Sequence, residues 1–241
     1  FRGPEGYWTI GSREYRPEEM ATYEMFKRRP WDVWNWYLYR RYRCRSVAPN
    51  PAHNRIAAFQ QNFPNCCTLI TQNVDGLHRR AGSPEDSSFE IHGNIDLMRC
   101  VTKCSELVTP VPIAPTLRSP AAPLSAAQKH SLICPDCQNP MRPHVLWFDE
   151  YYDETLYRAD SAWLKSVQAQ LLIVIGTSAA TSFPLQLAQV VSQKAIALID
   201  INPEPNPFGE LASRISNGLW LPQKASLAVP EVIDALVRNQ H

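Results

Sequence analysis

Leu171-Leu172-Ile173-Val174-Ile175-Gly176-Thr177-Ser178 decides the fold. An unbroken aliphatic run without polar alternation describes a strand covered on both faces, as in a parallel sheet. The small and polar residues that end it precede a stretch, 184–193, that reads as a helix. A second strand of this kind, 195–201, ends at Asn202-Pro203. A third, over 66–72 and centred on Thr68-Leu69-Ile70-Thr71, ends at Gln72-Asn73. Buried strands alternating with helices predict an α/β fold with a Rossmann-like parallel sheet. Right-handed crossovers would gather the three polar strand ends at one edge, where such sheets bind ligands. Gly176, Thr177 and Ser178 could offer N–H groups and hydroxyls to a ribose or phosphate. The same pattern is also an ordinary helix N-cap. Convergence of three such ends favours a nucleotide crevice.

The third strand runs into Thr71-Gln72-Asn73-Val74-Asp75-Gly76-Leu77-His78, followed by Ile91-His92-Gly93-Asn94. Amides, a carboxylate and an imidazole therefore collect where a buried strand gives way to a loop. The competing reading is a polar turn closed by local side-chain-to-backbone bonds.

The 241 residues, 44% of them hydrophobic, suffice for one large domain or a domain with a smaller module. Charge nearly cancels, with 24 basic against 23 acidic residues, so no global field favours nucleic acid or anionic membrane. No run of about 18 apolar residues exists, and the chain offers nothing to span a bilayer as a helix. The start, Phe1-Arg2-Gly3-Pro4, resembles no signal peptide; a cytoplasmic protein is expected, with a targeting segment upstream left open.

The cysteines carry a second chemistry. Cys100-x3-Cys104 and Cys134-x2-Cys137 form two close pairs, while Cys44, Cys66 and Cys67 stand apart. Each short turn delivers two thiolates, and two turns complete a tetrahedral zinc site. Chance pairs or reducible disulfides are the alternative. With thiolates alone there is no open coordination position, so such a zinc is structural. The segment between the pairs contains Pro110, Pro112, Pro115, Pro120 and Pro123, which excludes a continuous helix and predicts a loop hung from the metal.

Elsewhere, residues 17–45 read as helical, divided at Pro30. Asn50 and Pro51 interrupt, and His53–Gln61 reads as a further helix. Residues 143–148 read as extended, 153–168 as helical, and 229–239 as a final helix. The expected organisation is a Rossmann-type domain over 59–95 and 145–241, a helical module with a cofactor loop over 1–58, and a zinc-binding module over 96–144.

Phe1-Arg2-Gly3, the 71–78 stretch, Ile91-His92-Gly93, the two cysteine pairs, Gly176-Thr177-Ser178 and Ile201-Asn202-Pro203-Glu204 together resemble the sirtuins, in the family's order. That resemblance implies an NAD-dependent protein lysine deacylase, releasing nicotinamide and O-acyl-ADP-ribose, with NAD as co-substrate and zinc as structural metal. Its partners would be acyl-lysine proteins or peptides. By motif, His92 would be the general base toward a ribose hydroxyl, suited to this by imidazole chemistry. Gln72 and Asn73 would orient the ribose and attacking groups, Asn73 counting with His92 as catalytic, and Asp75 would engage the carboxamide. Arg2, Gly176, Thr177, Ser178, Asn202, Glu204 and Ala225 would be further cofactor contacts. Val145, Phe148 and Glu150 would face the peptide. His78 would close the turn. An NAD or ADP-ribose sensor, or an NAD glycohydrolase or ADP-ribosyltransferase, is the alternative.

Tyr37 and Arg40 lie three apart on one helix face. They resemble the Tyr-x-x-Arg pair with which some sirtuins favour succinyl or malonyl groups, a guanidinium fork pairing with a carboxylate. A densely aromatic and basic helix that packs and solvates is the plainer account. The chain also departs from the family pattern. Asp149 stands where glycine is usual, an added side chain and charge expected to tune peptide register or a preference for basic substrates. The Gly-Ala-Gly phosphate loop and its strand would precede Phe1, and the natural protein is expected to carry them upstream.

Overall fold

The structure, a computed structural model, describes residues 8–116, 119, 122–194 and 196–238. In chain order the elements are β1 (Trp8–Ile10), β2 (Arg13–Tyr15), α1 (Pro17–Met20), α2 (Tyr23–Arg28), α3 (Pro30–Arg45), α4 (Pro51–Asn62), β3 (Leu69–Thr71), α5 (Leu77–Arg80), β4 (Ser88–Glu90), β5 (Gly93–Cys100) and β6 (Val108–Pro110). They continue with α6 (Ala126–His130), β7 (Met141–Val145), α7 (Glu154–Tyr157), α8 (Ala159–Val167), β8 (Leu171–Ile175), α9 (Ser182–Lys194), β9 (Ala197–Ile201), α10 (Pro207–Ala212), β10 (Gly218–Leu221) and α11 (Ala225–Arg238). The elements fall into two compact units. One comprises the stretch ending at Ala48, Ile70–Leu77 and Glu90–Arg158; the other comprises Pro49–Leu69, His78–Phe89 and the stretch from Ala159 on.

The second unit holds the parallel sheet, in the order β10-β9-β8. Its strands are apolar on both faces because both are covered. Ile173, Ile175, Ile199 and Ile201 pack with α4 and α11 through Ile56, Phe59, Val229 and Ile233. The alternate residues Leu172, Val174 and Leu198 pack with α9 and α10 through Val191, Phe208 and Ala212. This is the arrangement read from the Leu171–Ile175 run. Asn50 and Pro51, expected to interrupt, instead start α4: the Asn50 side chain accepts from the His53 N–H, and Pro51 occupies the first helical turn. An Asn-Pro pair marks a turn and a helix start equally well. The last helix begins at Ala225, ahead of the expected 229, and carries Pro230 inside it.

One expectation is corrected. The third strand is only Leu69–Thr71, and it pairs with β4 in a sheet of its own, so the three polar strand ends belong to two sheets. Its backbone is satisfied there, with Leu69 N donating to Ser87 O at 2.8 Å and Ile91 N to Thr71 O at 3.1 Å.

The first unit joins the β1-β2 hairpin and α1–α3 to an antiparallel sheet, β6-β5-β7. Helix α3 is buried over much of its circumference: Val33, Trp34, Trp36, Tyr37 and Leu38 are all inside. Burying one ring of this size removes roughly 200 Å² from water, at most about 5 kcal/mol. The polar ends of the indoles are satisfied, Trp34 Nε1 donating to Met141 O at 2.7 Å and Trp147 Nε1 to the Tyr37 hydroxyl at 2.9 Å. The proline-rich segment is more than a loop. It contains β6, which pairs with β5, and α6, capped by Ser125, while Val111, Ile113 and Leu124 enter the core. The helix expected over 153–168 is broken at Arg158, whose left-handed backbone (φ 54°) caps α7 before α8 begins. Among the described residues no helix is long and apolar enough to cross a membrane.

Candidate active site

The polar loop after β3 owes its shape to its own side chains. Thr71 Oγ1 accepts from Asn73 N at 3.1 Å, and the Asp75 carboxylate accepts from Leu77 N at 2.9 Å, starting α5. Gly76 sits at φ 67°, the left-handed turn that a glycine tolerates without strain. The turn is therefore locally closed, and the two readings of the sequence coexist. Gln72 is half-buried and Asn73 is exposed. Ile95 N donates to Val74 O at 2.8 Å, tying this loop to the one that carries His92.

His92 lies on the short link between β4 and β5. Its carbonyl accepts from Leu146 N at 2.9 Å, just past β7. Gly93 follows at φ 83°, and a Cβ there would stand 2.0 Å from the His144 carbonyl oxygen. No side chain fits so close to backbone, so this contact needs glycine. Gly93→Ala is expected to destabilise the protein on the order of 3 kcal/mol, from clash and strain together. Chemical denaturation checks this; an unchanged midpoint would show that the strands part freely there. Asn94 braces the other side, donating to Glu90 Oε1 at 2.8 Å and accepting from Asp96 N at 2.9 Å. Asp96 is paired with Arg41 at 2.7 Å and with Arg45 at 2.8 Å.

Burial pushes the His92 imidazole down to about 4, against a backbone hydrogen bond to Gln72 that favours the charged form. The ring is thus neutral at physiological pH and able to accept a proton. Its Nε2 lies 3.0 Å from the Tyr152 hydroxyl, with the two rings near parallel. Nothing in the sequence marked Tyr152. Its neighbour Tyr151 is 91% exposed, and no periodicity separates the two.

The segment expected to face a peptide is pegged at several points. Val145 is buried and pairs with Gly93, whereas Phe148 is 53% exposed. Phe148 N donates to Ala21 O at 3.0 Å. Glu150 is taken up internally: Arg142 grips its carboxylate with both terminal nitrogens, and Trp147 N donates to it at 3.0 Å. The Asp149 carboxylate accepts from Tyr23 N at 2.7 Å and Glu24 N at 3.1 Å. Its charge thereby meets the positive end of α2.

Tyr37 is 1% exposed, and its oxygen accepts from Trp147. The Arg40 guanidinium lies over the Trp36 ring at 4.8 Å. Burial lowers the Arg40 pKa and raises that of Tyr37, while each charge favours the ionised form of the other.

The ligand atoms of Cys100, Cys104, Cys134 and Cys137 all lie within 4.8 Å of one another. Adjacent Sγ pairs stand at 3.3, 3.4 and 3.5 Å, near the edge of about 3.8 Å expected for four sulfurs around one zinc. Lys103 and Gln138, at φ 54° and 59°, make the left-handed turns in the two cysteine loops. Hydrogen bonds among these thiols pull in opposite directions: the Thr102 hydroxyl is the largest influence lowering Cys137, while Cys100, Cys134 and Cys137 together raise Cys104. The four residues fit a structural zinc ion.

The other sequence-selected residues lie in the second unit. Gly176 (φ 63°) follows β8, and its N–H donates to Ile201 O at 3.0 Å. Thr177 Oγ1 accepts from Ala179 N, and Asn202 Nδ2 donates to Thr177 O at 3.0 Å, so two strand ends do meet. Ser178 and Glu204 are exposed, with Glu204 N donating to Asn202 Oδ1 at 3.3 Å; Ala225 opens α11. Arg2 lies outside the described residues.

The chain is 36% identical over 239 residues to an NAD-dependent protein deacylase of Leptospira interrogans serogroup Icterohaemorrhagiae serovar Lai, covering 99% of this chain and 87% of that one. It is 35% identical over 241 residues to an NAD-dependent protein deacylase of Aquifex aeolicus, covering 98% and 87%. Among solved structures, a Sir2 homolog–NAD complex superposes with a TM-score of 0.75 at 31% identity, covering 94% of this chain and 80% of that one. A mutant Sir2 homologue with 2′-O-acetyl ADP-ribose gives 0.77 at 32% identity, covering 99% and 85%. The Sir2 family model matches residues 1–182, and with these relatives it shows that the chain belongs to the Sir2 family.

Proposed function

We propose that the protein is an NAD-dependent protein lysine deacylase acting on acylated protein or peptide substrates. The observation that carries this reading is a neutral, half-buried His92 fixed beside the Gln72–Asp75 loop in a chain of this family. Bound NAD would supply an electrophilic ribose carbon with nicotinamide as its leaving group. His92 accepts the proton of a ribose hydroxyl, and its desolvation keeps it uncharged for that task. Gln72 and Asn73 orient the ribose, and Asp75 the carboxamide. Gly176, Thr177, Ser178, Asn202, Glu204 and Ala225 serve the adenosine side, and the family resemblance adds Arg2 as a further cofactor contact. Val145 and Phe148 border the peptide, and Glu150 holds their loop in shape. The zinc, held by four cysteines, takes no part in the chemistry. Nicotinamide release from NAD that requires an acyl-lysine peptide tests the reading. Release at the same rate without peptide would make the protein a glycohydrolase instead.

The acyl preference we propose is for acidic chains. Trp147 donates to the Tyr37 oxygen, which leaves the phenol proton for another acceptor. The desolvated Arg40 guanidinium gains most from a carboxylate partner. Arg40→Met keeps an unbranched side chain and removes the guanidinium that lies over the Trp36 ring. The kcat/KM ratio of succinyl- to acetyl-lysine peptide is expected to fall about 10- to 100-fold. An unchanged ratio would refute the preference and leave the deacylase reading intact.

A further inference from the structure

The contact between His92 and Tyr152 has no part in the chemistry just described. A neutral imidazole has one protonated nitrogen and one with a lone pair. A hydrogen bond to the Gln72 backbone favours the protonated ring. In the tautomer that leaves the lone pair on Nε2, the Tyr152 hydroxyl 3.0 Å away is its donor. That lone pair is single. It cannot hold the phenol proton and receive a ribose proton at once.

The loop that presents Tyr152 is fastened on both sides. Upstream, Asp149 accepts from Tyr23 N and Glu24 N. Downstream, Asp153 caps α7, accepting from Leu156 N at 2.8 Å. Leu146 N binds the carbonyl of His92 itself. The phenol is therefore delivered to Nε2 by a held backbone, with its ring nearly parallel to the imidazole at 5.7 Å.

We propose that Tyr152 is a positioning residue that latches His92 in the resting protein. Its hydroxyl fixes Nε2 as the acceptor nitrogen and occupies it, and a ribose hydroxyl of NAD displaces it on binding. The donor on Nε2 changes from phenol to ribose with the tautomer already set, and no covalent bond is made or broken in the exchange. The latch thus opposes NAD binding while preparing the base. This inference rests on His92 being the base of the proposed deacylase.

Tyr152→Phe in the full chain removes the hydroxyl and keeps the ring. The KM for NAD is expected to fall about 2- to 10-fold, the worth of one neutral hydrogen bond, with kcat within a factor of two. In the NAD-free protein the His92 titration, followed by imidazole NMR, is expected to move upward, because a donor to Nε2 favours the neutral ring. A merely structural tyrosine would shift neither. A lower kcat at unchanged KM would overturn the latch and make the phenol a participant in the chemical step. Unmoved KM and titration would show the contact to be idle and overturn it as well. Tyr152→Leu separates ring from hydroxyl: tighter NAD binding in this variant alone would assign the effect to bulk and reject the proposal. His92→Ala is measured in parallel. Retained nicotinamide release there would fell the base assignment, while the imidazole titration would still decide the latch.

Discussion

Replacing His92 by alanine is expected to lower acyl-peptide-dependent nicotinamide release by about 10²- to 10⁴-fold, the usual worth of a positioned general base. The loss should appear in kcat, because the proton is transferred only in the reaction and not on binding. Folding should survive, since His92 is half-buried on a link held by backbone bonds of its neighbours, Ile91 N to Thr71 O and Leu146 N to its own carbonyl. The measurement is nicotinamide release with an acetyl-lysine peptide, beside a thermal melt. A variant with full kcat would remove His92 from the mechanism.

The same residue sets a pH dependence. Its folded pKa, about 4, lies below the ordinary value of 6.5. Between those values the unfolded chain binds more protons than the folded one, so stability rises with pH across pH 4 to 6.5 and is level above it. The change is on the order of 2–3 kcal/mol for a site with His92's partial exposure. The base is active when neutral, so the activity limb belonging to His92 falls only as pH drops toward 4. The kcat/KM for NAD should therefore show no inflection near 6.5, and one there that vanishes in a His92 variant would contradict the buried, neutral ring.

What the sequence disclosed follows from the range of the forces involved. The parallel strands were legible because burial on both faces writes itself as an uninterrupted aliphatic run, as in Leu171–Ile175. The cysteine cluster was legible because metal geometry imposes short spacings. The corrections arise where a local pattern has two outcomes or where the partner is distant. Asn50-Pro51 reads as a break and is a cap and first turn. Arg158 divides α7 from α8 with a left-handed conformation that arginine does not advertise. Asp149 meets the start of α2 across 126 positions, and Tyr152 meets His92 across 60. No window along the chain contains both partners, so neither role could be read from it. A signal for Asp149 did exist in the first turn of α2, where Thr22 bonds Met25 N and the Tyr23 and Glu24 N–H groups still need acceptors.

The cysteine cluster carries the second large effect. Purified protein is expected to hold one zinc per chain, and Cys134→Ser or a strong chelator should remove it together with activity. Cys100 ends β5, and Cys134 N donates to Asn139 O beside the Ile133–Pro140 bridge that leads up to β7, so a bound metal would tie together the near ends of two strands whose far ends carry Gly93 and Val145. His92 immediately precedes β5, and its position depends on that register. A structural zinc contributes about 10–16 kcal/mol of apparent binding energy at neutral pH. Leu132, Cys134 and Met141 belong to the core that also holds Trp34 and Trp147, so the damage should spread beyond the loops. The readouts are elemental analysis, near-ultraviolet circular dichroism and nicotinamide release on the same sample. Loss of aromatic signal and activity should coincide with loss of metal. Because the ligands bind as thiolates, release should also become easier as pH falls. Zinc-free protein with native aromatic signal and full activity would show that the four thiols hold the module without a metal.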